Sequence, residues 1–305
     1  MTLVAAVPAA LAADLAATAP PGVTVRPVPG RGDPALLPAL ADVGFLVLDH
    51  ERADDLAPLL PRLPALRFVQ VLIVGTDWVT PFLPPGVGLG RPTGARDGAV
   101  AEWVAGALLG AASGLLPAAR DQVHARWDRR PRRELAGQQV VVVGQGTTGQ
   151  AAAALLERLA VRVVRVARRA RPGVSGSGEL PDLVAGADAV VLLVPLTSGT
   201  RHLADAGLLA RMPDGALLVN AGRGPVVDTA ALLAELRAGR LRAVLDVTDP
   251  EPLPAGHPLW TAPGCIVSPH VAGATLEARQ RSVQEAARAL ARYAASAGAA
   301  AGAAR

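Results

Sequence analysis

The chain has 305 residues, a net charge of +4 and 51% hydrophobic content, enough for two domains whose cores must be built from Ala, Val and Leu because aromatics make up 3%. All thirty basic side chains are arginines, and the absence of lysine excludes Schiff-base chemistry and a Walker-type phosphate loop. One cysteine, Cys265, excludes a disulfide framework and fits a reducing cytoplasm, and no uninterrupted apolar run reaches the roughly 18 residues of a membrane span.

The apolar start resembles a secretory signal, but it lacks a basic leader and Pro8 interrupts it. A strand over 2–7 and a helix over 11–17 are the better reading. Further strands are predicted over 23–28, 45–49, 68–74 and 87–89, with helices over 35–40 and 56–60 between them. Such alternation implies a parallel sheet covered on both faces. From 99 to 122 the pattern is helical, with a kink expected at Pro117, and this helix is expected to link two domains. The basic run Arg126-Trp127-Asp128-Arg129-Arg130-Pro131-Arg132-Arg133 reads as a solvated loop; a subunit contact or anion steering is the sharper alternative. The pI near 10.6 reflects the arginine usage and is not read as a nucleic-acid signal.

A second alternating set follows. Its strands are predicted over 139–143, 161–166, 190–194, 216–219, 243–246 and 265–267, and its helices include 151–159, 206–211 and 229–238, the last ended by Gly239. One more helix over 275–295 is expected to return to the first domain. The Ala-, Gly- and Ser-rich tail 294–305 is predicted to be frayed or disordered.

Gly144-Gln145-Gly146-Thr147-Thr148-Gly149 follows a predicted strand and opens a helix, the context that makes a G-x-G-x-x-G a dinucleotide signal. Gly144 permits the turn, Gly146 admits a pyrophosphate, and Gly149 lets helix and strand close up. The first helical turn, with Thr147 and Thr148, presents N–H groups to the phosphates. The next strand ends in Arg168 and Arg169, with no acid to meet a ribose 2′-hydroxyl. Arginine pairs with a 2′-phosphate, so NADPH is expected over NADH, which stays possible.

Nearer the C-terminus an arginine, a glutamate and a histidine occur in order: Arg223, Glu251 and His270. Arg223 can grip a carboxylate in a planar, two-bonded way. His270 can exchange a proton near neutral pH, and a carboxylate such as Glu251 can hold an imidazole. Together they describe transfer of a hydride and a proton on a small anionic substrate. His50, His124 and His202 carry no motif and are expected to be structural or solvated; His257 is expected to pack and Cys265 to act as a small hydrophobe. The scattered histidines suggest no metal site.

These motifs carry a resemblance. Leu135-x-Gly137, the glycine fingerprint, Val194-Pro195-Leu196-Thr197 with Thr200, Asn220-x-Gly222-Arg223-Gly224, Asp246 with Glu251-Pro252, and Ser268-Pro269-His270 stand in the order of the D-isomer-specific 2-hydroxyacid dehydrogenases. That family includes glyoxylate/hydroxypyruvate reductases and phosphoglycerate dehydrogenases. The resemblance is dense from about 99 to 276 and weaker before. It implies two doubly wound α/β domains: a flavodoxin-like substrate domain over 1–95 plus 276–305, and a Rossmann NAD(P)-binding domain over 96–275.

By the same resemblance Arg223 binds the substrate carboxylate and carbonyl oxygen, and His270, paired with Glu251, is the general acid in reduction. Asp246 sits near the nicotinamide, with Pro195, Thr200 and Ala221 also on the cofactor side. Backbone of Val74 and Gly75 donates to the substrate carboxylate from the first domain, and closure excludes water. A homodimer formed through the nucleotide domain and linking helix is implied. Departures fall in the loop Gly94-Ala95-Arg96-Asp97-Gly98, which lacks the Asn often seen before Val100-Ala101-Glu102, at Gly114-Leu115 in place of an arginine, and at Trp78. The competing readings are a nucleotide-sensing corepressor, against which the intact Arg223, Glu251 and His270 speak, and a dehydrogenase of phosphite.

Overall fold

The computed structural model of the protein describes residues 3–129 and 131–303. The chain divides into two compact units, Met1–Arg96 with Leu276–Arg305, and Asp97–Thr275. Each is a parallel sheet with helices on both faces, the α/β class expected.

In the first unit the strands β1 (Leu3–Val7), β2 (Val23–Pro27), β3 (Phe45–Leu48), β4 (Phe68–Val71) and β5 (Gly88–Gly90) lie in the order β2-β1-β3-β4-β5, all parallel. Successive residues of a strand point to opposite faces, and here both are buried. Ala5, Val7, Phe45 and Val47 pack with Leu15 of α1 (Ala12–Ala17) and with Ala286, Ala289 and Leu290 of the C-terminal helix. On the other face Ala6, Leu46, Leu48, Val69 and Val71 meet Leu40 of α2 (Leu36–Leu40) and Leu56 of α3 (Ala53–Leu56). Phe45 stacks on Phe68 at 5.3 Å and Tyr293 closes on both at 5.6 Å, so three of the few aromatic rings form one cluster.

The second unit begins with α4 (Asp97–Ser113) and α5 (Leu115–Val123). Its strands are β6 (Gln139–Val143), β7 (Arg162–Ala167), β8 (Ser175–Gly176), β9 (Ala189–Leu192), β10 (Leu217–Asn220), β11 (Arg242–Leu245) and β12 (Cys265–Val267). They are ordered β12-β11-β10-β9-β6-β7-β8. The chain runs outward from β6 to β8, then crosses to β9 on the other side of β6. That reversal is the place where open α/β sheets bind ligands. Val141, Val143, Val190 and Leu192 face one core, and Val140, Val142, Ala189 and Val191 face the other, each large side chain contributing about 1.5–3 kcal/mol by burial. The intervening helices are α6 (Thr147–Arg158), α7 (Leu180–Val184), α8 (Ala206–Arg211) and α9 (Thr229–Arg237). The Asp228 carboxylate caps α9 by accepting from the N–H groups of Ala230 and Ala231.

Four expectations need correction. The linking helix breaks at Gly114, whose φ of +81° is left-handed, and α4 and α5 meet there at 68°. Pro117 sits in the first turn of α5, where its missing N–H costs nothing. The segment expected as a helix over 56–60 is instead the short α3 followed by a 3-10 stretch, Ala57–Arg62, with Pro61 inside. The strand expected over 68–74 ends at Val71, and β8 had no sequence signal. The tail is helical: the last helix, α10 (Leu276–Ala303), runs through it, because alanine is the strongest helix former; 304–305 of that expectation lie outside the described residues, as do Thr2 of the first strand and Arg130 of the basic run. The rest of that run is exposed, with Arg133 paired to Asp188 at 2.6 Å. Among the described residues no single helix is long and apolar enough to cross a membrane; α4 and α5 pass that test only as a bent pair. Cys265 is buried beside β11, and burial pushes its thiol up to about 11, so it stays protonated at neutral pH.

Candidate active site

Expected functional residues of the second unit stand at or just after the carboxyl end of each strand but β8: Gly144 after β6, Arg168 after β7, Pro195 after β9, Ala221 after β10, Asp246 after β11 and His270 after β12. A parallel sheet gathers these strand ends along one edge, which brings residues far apart in sequence together.

The fingerprint turn is packed to contact. Gly144 has φ +108°, and a Cβ there would come within 2.4 Å of the Leu193 carbonyl oxygen. A Cβ on Gly149 would lie 1.8 Å from the Gly144 carbonyl oxygen, so only glycine lets α6 approach β6. Gly146 differs: nothing lies within 4 Å of its would-be Cβ, so the space over the N-terminus of α6 is open. That open space, with the backbone N–H groups of the first turn beside it, fits a dinucleotide pyrophosphate. The Thr148 hydroxyl is already committed, donating to Asp97 Oδ1 at 2.6 Å, so Thr148 offers its backbone to a ligand. Arg168 and Arg169 are exposed after β7, and the Ser177 hydroxyl donates to the Arg168 carbonyl at 3.3 Å.

Three loops carry the residues expected to do the chemistry. After β9, the Thr200 hydroxyl donates to the Pro195 carbonyl at 2.6 Å and accepts from the Thr197 N–H at 2.8 Å, holding Pro195 in a closed turn. After β10, the fully buried Asn220 folds its own loop: its amide donates to the Arg223 carbonyl at 3.0 Å and accepts from the Gly222 N–H at 3.1 Å. The Ala221 N–H bonds the Leu192 carbonyl at 3.2 Å. Arg223, half-buried, follows in extended backbone. After β11 and β12, His270 Nδ1 lies 2.6 Å from Glu251 Oε1. An ionised carboxylate only accepts, so Nδ1–H donates and Nε2 is the nitrogen left for proton transfer. Both side chains are partly open to water, at 45% and 39% of full exposure.

The backbone of His270 is left-handed, with φ +55°. Asp246 holds it there. The carboxylate of this buried residue accepts from Ser268 Oγ at 2.6 Å, Val271 N–H at 2.8 Å and Ala272 N–H at 2.9 Å, while its carbonyl accepts the His270 N–H at 2.8 Å. Asp246 therefore braces the histidine turn from below, a role sequence reasoning missed. Arg171 was missed too. It reaches back 26 residues to donate to the Gln145 carbonyl at 3.2 Å and, with Gln150 and Arg165, lines a cavity of about 590 Å³ beside the fingerprint. Its place in a run of arginines after β7 was the available signal. In the first unit, Val74 and Gly75 follow β4, and the Gly75 carbonyl accepts from the Trp78 indole N–H at 2.9 Å.

A model of the D-isomer specific 2-hydroxyacid dehydrogenase NAD-binding domain matches residues 105–272. A glyoxylate reductase of Thermofilum pendens is 33% identical over 76% of this chain and 73% of its own. An (S)-sulfolactate dehydrogenase of Chromohalobacter salexigens is 35% identical over 81% of this chain and 83% of its own. The crystal structure of a D-isomer specific 2-hydroxyacid dehydrogenase from Xanthobacter autotrophicus Py2, in complex with NADPH and MES, is similar at a TM-score of 0.76 and 32% identity, covering 96% of each chain.

Proposed function

The chain belongs to the D-isomer specific 2-hydroxyacid dehydrogenase family, and on that premise we propose that it reduces a small 2-oxo acid to the D-2-hydroxy acid with NADPH preferred over NADH. The observation that carries this reading is the 2.6 Å pair of His270 and Glu251 on the strand edge that also presents Arg223. A bound nicotinamide supplies the hydride. As the carbonyl oxygen gains charge, the Arg223 guanidinium stabilises it and His270 Nε2 delivers the proton. Glu251 holds the ring and balances the imidazolium. Val74 and Gly75 are proposed as backbone donors to the substrate carboxylate.

Arginine at 168 and 169 supports NADPH, because a guanidinium pairs with a 2′-phosphate where an acid would repel it. Relatives of similar identity are named for different substrates, so their names do not select one here. A homodimer is proposed from the solvent-facing apolar residues Leu109, Leu115, Val123 and Trp127 along α4, α5 and the loop after them, 42% to 90% exposed. Oxidation of NADPH and NADH followed at 340 nm with glyoxylate, hydroxypyruvate, pyruvate and phenylpyruvate tests the reading. Turnover of at least one acid, faster with NADPH, is expected. Binding of NADPH without turnover of any acid would overturn the reductase assignment.

A further inference from the structure

The edge strand that leads to His270 is held from outside by a residue the proposed reaction does not use. β12 has three residues and pairs with β11 alone. The Gly264 carbonyl accepts from the Ala243 N–H at 3.0 Å, and the Ser268 N–H donates to the Leu245 carbonyl at 2.8 Å, so these groups face β11. Backbone groups alternate sides along a strand. The Cys265 carbonyl therefore points outward from the sheet, where an edge strand finds no strand partner. Arg120 of α5 fills that place: its Nη2 donates to the Cys265 carbonyl across 145 positions of sequence. Leu116 of the same helix and Ile266 of β12 pack against one core cluster, so helix and strand meet the same core.

Drawing a guanidinium partly out of water is costly. Arg120 is half-buried, yet α5 buries no residue and gains no core from it. The gain lies in the strand. Asp246 braces the histidine turn from the β11 side, through Ser268, Val271 and Ala272. Arg120 holds the opposite side. A short strand paired on one side alone frays, and fraying here would move His270 away from its place beside Glu251. Pro269 stiffens the segment between, so a shift at Cys265 is carried to the histidine rather than absorbed. We propose that Arg120 is a positioning residue for proton transfer: by fixing the outer edge of β12 it holds His270 in place for the substrate oxygen. The inference rests on the reductase reading, in which His270 delivers the proton.

The test uses a probe already in the strand. Cys265 is the only cysteine of the chain and is 1% exposed, so the rate at which a thiol reagent (DTNB) labels it under native conditions reports opening of the start of β12. Arg120→Met should speed that labelling by roughly 10- to 100-fold, the weight of one charged hydrogen bond. In the same variant kcat should fall by roughly 5- to 50-fold through misplacement of the proton donor. KM for the acid and the affinity for NADPH should stay within about 2-fold, because neither Arg223 nor the fingerprint lies on β12. Arg120→Lys, which restores a charged donor, should recover most of kcat and of the thiol's protection, and it guards against a Met variant that fails to fold. Faster labelling with kcat unchanged makes Arg120 an edge cap alone and overturns the inference. A loss of kcat without faster labelling, or with an equal weakening of NADPH, overturns it as well. A parent that binds NADPH yet turns over no acid overturns it together with the reductase reading.

Discussion

Asp246→Ala tests whether the histidine turn depends on one buried carboxylate. The substitution removes the acceptor for Ser268 Oγ, Val271 N–H and Ala272 N–H, at 2.6, 2.8 and 2.9 Å. Bonds to a charged acceptor are worth about 1.5–3 kcal/mol each, but they are not additive. Val271 is 43% exposed, so water can replace the carboxylate there, whereas the N–H of Ala272, at 4%, is left buried. A further strain of about 1–2 kcal/mol accompanies the left-handed backbone of His270, which these bonds offset. The expected loss is about 3–5 kcal/mol, or roughly 6–20 °C in the midpoint of a domain this size. Asp246→Asn keeps an acceptor oxygen and should lose about half as much. Circular dichroism melts with turnover on the same samples give both readouts. A melt of Asp246→Ala within about 1 °C of the parent, with kcat unchanged, would refute the bracing role.

Other expected outcomes are separable by assay. His270→Ala should abolish turnover while NADPH titration by fluorescence is unchanged; residual turnover near the parent's would remove His270 from the chemistry. Arg168→Ala with Arg169→Ala should weaken NADPH by roughly 10- to 100-fold and leave NADH within about 2-fold, and equal weakening of both would end the 2′-phosphate reading. Leu115→Ser with Trp127→Ser should shift sedimentation from dimer to monomer, and a parent that sediments as a monomer would contradict the proposed interface.

The runs of β-branched residues announced the strands, since Val140–Val143 is buried on both faces and needs no alternation to be read. The fingerprint glycines were equally legible, because each serves a contact only a few residues away. What escaped was either subtle or nonlocal. Pro117 is the louder helix breaker, yet a left-handed glycine three residues earlier turns the chain, and nothing in composition distinguishes Gly114 from the helical Gly106 and Gly110. The Ala-, Gly- and Ser-rich composition of the tail suggests disorder, but its alanines favour helix and outweigh the Gly and Ser. The resemblance implies only a cofactor neighbour at Asp246; its bonds run to residues 22 to 26 positions away, a distance that no local pattern encodes. Arg171 and Gln145 are similarly remote.

A Cβ on Gly224 would sit 1.8 Å from the Thr248 carbonyl oxygen, and one on Gly222 would sit 2.7 Å from that of Val194. The loops bearing Pro195, Arg223 and Glu251 therefore rest on one another main chain to main chain, with no side chain between them to yield. They behave as one mechanical part. A change of length in any of the three shifts the anion grip, the proton donor's partner and the cofactor wall together. Under the proposed reading, variation in substrate choice falls less on this edge than on the loop after β4, where Val74 and Gly75 are proposed to meet the substrate carboxylate.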